Sequence, residues 1–192
     1  MTESANRDTR NPRPLRLPRV VCLTNGVFQE NCYIVADPET HDAVLVDPGE
    51  EADLFLRRLA SEELALRAVW LTHAHLDHIL GVAEVVERTG VPVSLHPADR
   101  SLYDGAVSQG AWLGVRADRP PPPEHELAAG DTLELARSDS KSVTCRGTAR
   151  GVWRLWVTVL RWSETPCLRA PLDAWICRAA TGKRCWLPSE SS

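Results

Sequence analysis

From residue 20 onward the chain alternates short apolar, β-rich runs with amphipathic stretches. "VVCLTNGVF" (Val20–Phe28) and "NCYIVAD" (Asn31–Asp37) are β-rich runs with a polar break between them, which predicts a hairpin. "DAVLVDPG" (Asp42–Gly49) reads as a short buried strand that ends in a turn at Pro48 and Gly49. Glu50–Leu64 opens with acids, which suit a helix N-terminus, and spaces Leu54, Leu56, Leu59 and Leu64 at mixed helical intervals. Leu66–His73 is the next strand. His78–Gly90 is helical, with Gly90 as its C-terminal cap. Val91–Pro97 is another strand, Arg119–Leu127 ("RPPPPEHEL") a stiff extended loop, and Leu127–Leu135 the start of a further turn and strand. The β-α-β-α-β alternation predicts an α/β fold in which helices cover a sheet.

One stretch stands out within this pattern. Thr72–His78, "THAHLDH", holds three histidines and an aspartate in seven residues, where a strand ends and a helix begins. In extended chain, residues two apart project to one side, so His73 and His75 can reach one ion. Asp77 and His78 follow as the chain turns into the helix and can face a second ion. Imidazole suits zinc, and a carboxylate suits a harder ion or a bridged pair. A metal brings the pKa of a bound water near neutrality and so provides a hydroxide nucleophile. The plainer alternative is a loop of surface histidines. It explains one histidine better than four such groups at this spacing.

Composition changes the picture twice. The 192 residues suffice for one domain with a real core, and the net charge of −4 gives no reason to expect nucleic acid or an acidic membrane surface as partner. No apolar run reaches the roughly 20 residues of a membrane helix. The opening residues lack an apolar core and a cleavage pattern. Residues 1–18 therefore read as a flexible tail rather than a secretory signal, and the expected location is cytoplasmic. The second change is a break near residue 137. Up to Ala136 there are 12 Arg and no Lys against 22 acids; from Arg137 on there are 8 Arg and 2 Lys against 4 acids. Five of the seven Trp and four of the six Cys fall in that last segment. A small Trp-rich subdomain or a disulfide module is one reading of it.

The motifs resemble a known family. "THAHLDH" is similar to the T-H-x-H-x-D-H motif of the metallo-β-lactamase fold, and "NCYIV", "VLVDPG", "GVPVSLHPAD" and "LAAGDTLEL" look like its glyoxalase II-like branch, the hydroxyacylglutathione hydrolases and relatives. The resemblance runs from about Val20 to Leu135. It implies an αββα sandwich with one or two metal ions, zinc as a rule and iron or manganese as alternatives, that hydrolyses a small-molecule thioester or ester. It also implies that His73 and His75 bind a first metal and Asp77 and His78 a second. Asp77 would take part in catalysis, and Asp47 would be structural, in the floor of the site.

The family pattern also needs a histidine in a "PGH" motif, a bridging aspartate in a "GD" motif and a last histidine. None follows Asp131, and the remaining histidines are His41, His96 and His125. A shift of reading frame would account for this. With each codon read from the third base of one triplet through the first two of the next, Thr144–Val152 is compatible with H-V-P-G-H-S-P-G-S. Glu164–Thr181 is compatible with G-D-A-L-F-A-G-S-V-G-R-V-D-L-P-G-G-D. Because Trp has one codon, Val157 after Trp156 is forced to Gly, and Ile176 after Trp175 to Asp. The fold expected is thus the N-terminal half of the sandwich over residues 19–137, its second half missing or out of frame. Residues 138–192 should have little regular periodicity and poor order. Two functional classes follow: a metal-dependent hydrolase, and an inactive remnant lacking the later ligands. A third is a metal-binding module that borrows ligands from a partner chain.

Overall fold

Asp42–Val46 carries apolar side chains on both faces, as an interior strand of a covered sheet must. In the computed structural model it is β3 of a six-stranded sheet ordered β1-β2-β3-β4-β5-β6. The structure describes residues 18–128 and Leu135, together with the backbone of strands 132–134, 141–146, 156–161 and 166–171. Strands β1 (Arg19–Asn25) and β2 (Glu30–Ala36) form the predicted hairpin, antiparallel in register from Arg19 opposite Ala36 to Asn25 opposite Glu30. Strand β2 pairs antiparallel with β3, after which the sheet turns parallel. Strand β4 (Ala65–Trp70), β5 (Val93–Leu95) and β6 (His125–Glu126) each run parallel to the strand before them. Parallel neighbours need crossovers, and helices supply them. All β3 residues from Ala43 to Val46 are buried, with Val69 and Trp70 of β4 and all of β5.

The crossover after β3 is α1 (Ala52–Ser61), which buries Ala52, Phe55 and Leu59 on one stripe. It is shorter than the Glu50–Leu64 expected. Glu63 takes a left-handed backbone, φ 54°, and Leu64 N–H bonds back to the carbonyl of Leu59, so the helix unwinds before its last leucine. The helix expected over His78–Gly90 is two pieces, α2 (Leu76–Ile79) and α3 (Val82–Thr89). Gly90 caps α3 as predicted, with φ 68° and its N–H on the carbonyl of Val86. The break falls at Gly81, whose N–H donates to Pro48 O at 3.0 Å. A side chain there would have its Cβ 2.3 Å from Gly49 O. The helix is interrupted so that its start can press against the turn after β3.

Two helices were not expected from the pattern: α4 (Arg100–Asp104) and α5 (Ala106–Leu113). The run "RSLYDGAVSQGAWL" is rich in small residues and has no clean apolar stripe. Its anchor is tertiary, the fully buried Tyr103, whose hydroxyl donates to Pro121 O at 2.8 Å. The proline loop leads into the two residues of β6, where Glu124 N–H and Leu127 N–H bond to the carbonyls of Val93 and Leu95.

A second sheet of four antiparallel strands, ordered β10-β9-β8-β7, comprises β7 (Thr132–Glu134), β8 (Lys141–Arg146), β9 (Trp156–Arg161) and β10 (Pro166–Pro171). Three of these strands lie where little regular periodicity and no second half were expected. "SVTC" and "WVTVL" are runs of β-branched and aromatic residues, which favour strands whatever their origin. The expectations for the remainder of residues 138–192 and for the tail up to residue 17 fall outside the described residues. Among the described residues no helix is long and apolar enough to cross a membrane.

The Gly81 contact gives a direct test. Alanine is the better helix former, so propensity alone predicts that Gly81→Ala stabilises. Overpacking against Gly49 O predicts instead a loss of about 1–3 kcal/mol in urea unfolding. At Gly90 nothing lies within 4 Å, so Gly90→Ala should show only the left-handed backbone penalty, about 1–2 kcal/mol.

Candidate metal centre

The site grows from the C-terminal ends of β3 and β4, where open parallel sheets commonly bind ligands. Asp47 directly follows β3, and Leu71 and Thr72 directly follow β4. Asp47 N–H donates to Trp70 O at 3.1 Å, which continues the ladder by one rung. Its carboxylate then accepts from the N–H of Thr72 at 2.7 Å and from Thr72 Oγ1 at 2.5 Å. These bonds pin the two strand ends together and set the direction in which the chain leaves β4. Asp47 has φ 52°, a left-handed backbone that few non-glycine residues adopt, and it is 3% exposed.

Beyond Thr72 the three histidines converge. The rings of His73 and His75 meet edge to face with centroids 4.7 Å apart, and those of His73 and His78 lie 4.0 Å apart. Thr72 Oγ1 stands 2.9 Å from His73 Nδ1. His75 precedes α2, and its carbonyl accepts the N–H of His78 at 3.0 Å, so the first helical turn returns His78 toward the other rings. Gln109 of α5 donates from Nε2 to Ala74 O at 3.2 Å and ties the middle of the motif to its flank.

His78 has two distinct sides. Its Nδ1 faces inward, 3.2 Å from Asp47 Oδ2 and 3.4 Å from Glu30 Oε1. These are ion-pair separations, and Nδ1 is buried without a well-aligned hydrogen bond. Its Nε2 faces Asp77, 3.5 Å from Oδ2, and the Asp77 side chain is partly exposed. One ligand atom each from Asp47, His73 and His78 lie within 4.8 Å of one another, the one such grouping among the described residues. His75 and Asp77 border this group without joining it. The other histidines stay apart: His41 and His125 are exposed, and His96 Nδ1 accepts the N–H of Ala98.

Two carboxylates sharpen the electrostatics. Burial pushes Glu30 up to about 7, with Asp47 and Asp77 adding to the rise and His78 and Asn25 opposing it. Burial also works against a charged His78, but the hydrogen-bonding and charge of Asp47, with Glu30 and Asp77, outweigh it and raise its pKa. His73 is lowered, first by burial and then by the neighbouring His78 and His75. Glu30 was not a candidate on sequence grounds. Its signal was its phase: it shares the buried face of β2 with Cys32 and Ile34, a charged residue in step with core positions.

The donor set suits a divalent ion of the zinc, iron or manganese kind: imidazole nitrogens with carboxylate oxygens and no thiolate. The inward carboxylates beside His78 Nδ1 fit as well, because a histidine that binds a cation commonly directs its other ring N–H at a carboxylate.

Comparison with known proteins identifies the family. Residues 25–162 match the metallo-beta-lactamase superfamily. The hydroxyacylglutathione hydrolase GloC of Haemophilus influenzae is 32% identical over 89 residues, 46% of this chain and 42% of that one. A hydroxyacylglutathione hydrolase of Rhodobacter capsulatus is 29% identical over 137 residues, 71% of this chain and 45% of that one. The chain thus spans less than half the length of these two curated relatives. Among solved structures, TTHA1623 in a di-iron-bound form superposes with a TM-score of 0.57 at 35% identity, covering 71% of this chain and 66% of that one.

The pKa of Glu30 makes a prediction for the metal-free protein. A carboxyl raised from its ordinary 4.5 to about 7 holds its proton more tightly when folded, so stability falls as pH rises through that interval. His78, also raised, adds a fall as pH passes its folded value, and His73, lowered, contributes a rise. Glu30→Gln should remove the first contribution and leave a shallower decline between about pH 4.5 and 7 in denaturant titrations. An unchanged slope would mean that Glu30 ionises as freely folded as unfolded.

Proposed function

The chain belongs to the metallo-beta-lactamase superfamily, and we propose that its site is that of a metal-dependent hydrolase acting on a small thioester or ester, in the manner of the hydroxyacylglutathione hydrolases. The observation that carries this reading is the convergence of His73, His75 and His78 beside Asp77 at the end of β4. In it, His73 and His75 hold a first ion, and Asp77 and His78 a second. Zinc is the first choice, with iron or manganese accepted by the same donors. An ion held by these residues would supply an acidified water and positive charge for a carbonyl oxygen.

The protein's own groups set the geometry. Asp47, through Thr72, orients the segment that carries the ligands. Gln109 holds Ala74 and so keeps His73 and His75 from drifting apart. Asp77, more open than His78 beside it, would be placed to accept a proton at the site. The residence fitting this chemistry is the cytoplasm, where thiol cofactors and their thioesters are kept.

A second reading is favoured by one count. All six histidines lie among the described residues, and only three of them converge. A catalytic zinc usually has three protein ligands besides its water, and this allotment leaves two for each ion. In that reading residues 138–192 are out-of-frame translation, residues 19–137 are the domain that remains, and the chain as written is a remnant without activity.

Metal analysis and a thioester assay separate the two. A hydrolase should retain one to two ions per chain after gel filtration and cleave a glutathione thioester. His73→Ala and His78→Ala should each lower the metal content and bring turnover to background. Wild-type metal content no higher than that of these variants would support the remnant. Resequencing codons 130 to 150 completes the test: a gained or lost base restores the later ligands, and an unchanged sequence leaves the chain as written.

A further inference from the structure

The hairpin that opens the sheet turns at the pair Asn25–Gly26, a sequence with a covalent chemistry of its own. An asparagine followed by glycine can close on itself. The glycine nitrogen attacks the side-chain carbonyl carbon, ammonia leaves, and water opens the resulting imide. Glycine favours this because it has no Cβ to hinder the approach and its backbone turns freely.

In this fold both reacting groups are committed to other partners. Asn25 is the last residue of β1, opposite Glu30, and is 2% exposed. Its Nδ2, the nitrogen that would leave, donates to Glu30 O at 3.1 Å and to Leu23 O at 3.3 Å, and lies 3.4 Å from Glu30 Oε2. Its Oδ1 is buried without a hydrogen bond, so the amide is held by its nitrogen alone. The attacking nitrogen is also engaged: Gly26 N–H donates to Glu51 Oε2 at 3.3 Å, and the next N–H, that of Val27, donates to Glu50 Oε2 at 2.6 Å. These two carboxylates, from the turn after β3, fasten the hairpin tip. The tip itself buries little, with Val27 73% and Phe28 39% exposed. Segments with few buried contacts open locally, without global unfolding.

We propose that Asn25 is a deamidation site gated by the hairpin tip, with the Glu51 carboxylate as its catch. When the tip opens, a bond forms from the Gly26 nitrogen to Asn25 Cγ. The Cγ–Nδ2 bond breaks, and ammonia leaves with the proton that the Gly26 nitrogen gives up. Water then adds at either imide carbonyl and leaves an aspartyl or isoaspartyl residue at position 25. The product lacks the amide donor that reached Leu23 O and Glu30 O, and it sets a second acid beside that of Glu30. The hairpin closes less firmly after conversion than before it.

The test incubates the full chain at mildly alkaline pH with and without guanidinium chloride and follows the peptide carrying residue 25 by mass spectrometry. Conversion in denaturant should run at least about 10-fold faster than in the folded chain. Glu51→Ala removes the acceptor and should speed conversion of the folded chain about 5-fold, with no change in denaturant. Glu51→Gln keeps an oxygen acceptor and should fall between. Converted wild-type chains, separated by charge, should unfold at a lower denaturant concentration than unconverted ones. Equal wild-type rates with and without denaturant overturn the gate, and no conversion in denaturant overturns the site; neither result depends on how a variant folds. A folded Glu51→Ala chain that converts no faster than wild type overturns the catch.

Discussion

The bonds between the Asp47 carboxylate and Thr72 are the constraint on which the site depends. They join the residue after β3 to the second residue past β4, which lie 25 positions apart in the chain. Without them the segment after β4 would leave the sheet in no particular direction. With them, His73 starts from a fixed point, the chain is directed past His75, and the first turn of α2 returns His78 over the same spot. The sheet provides the platform, and this pair of hydrogen bonds turns a strand end into a site. Hydrogen bonds to a charged acceptor are about twice as strong as neutral ones, which suits a junction that must hold several imidazoles in register.

Around that junction the packing is tight in a particular way. Gly49 and Gly81 let the turn after β3 and the start of α3 touch backbone to backbone. The pKa pattern reflects the same compression. Burial raises Glu30 to about 7 and lowers His73, while His78 is raised against its burial by Asp47, Glu30 and Asp77.

Much of this was legible in the sequence, and the exceptions have physical causes. The alternation of β3, α1, β4, α3 and β5 followed from period and turn residues, because each element buries a face of regular spacing. The motif at Thr72–His78 was legible because its residue types are scarce and its spacing matches a strand-to-helix junction. Helices α4 and α5 were not, since what holds them is Tyr103 reaching Pro121, a contact between residues 18 apart that no local pattern announces. The split at Gly81 was hidden for the same reason: its cause is Gly49 O on the other side of the junction. Asp47 was visible as part of "VDPG" but not as the partner of Thr72, and Glu30 was passed over because a carboxylate next to a strand ordinarily faces solvent. Strands β8 to β10 arise where little regular periodicity was expected; the β-branched and aromatic residues of β8 and β9 favour strands.

The backbone of Asp47 has an evolutionary corollary. With φ at 52°, the position admits glycine and, at little cost, aspartate or asparagine. Glycine lacks the acceptor, asparagine lacks the charge, and glutamate, which has both, favours neither that backbone nor that reach. Sequence drift at residue 47 therefore has almost nowhere to go. The position is thus constrained twice, by its backbone and by the two bonds its carboxylate accepts.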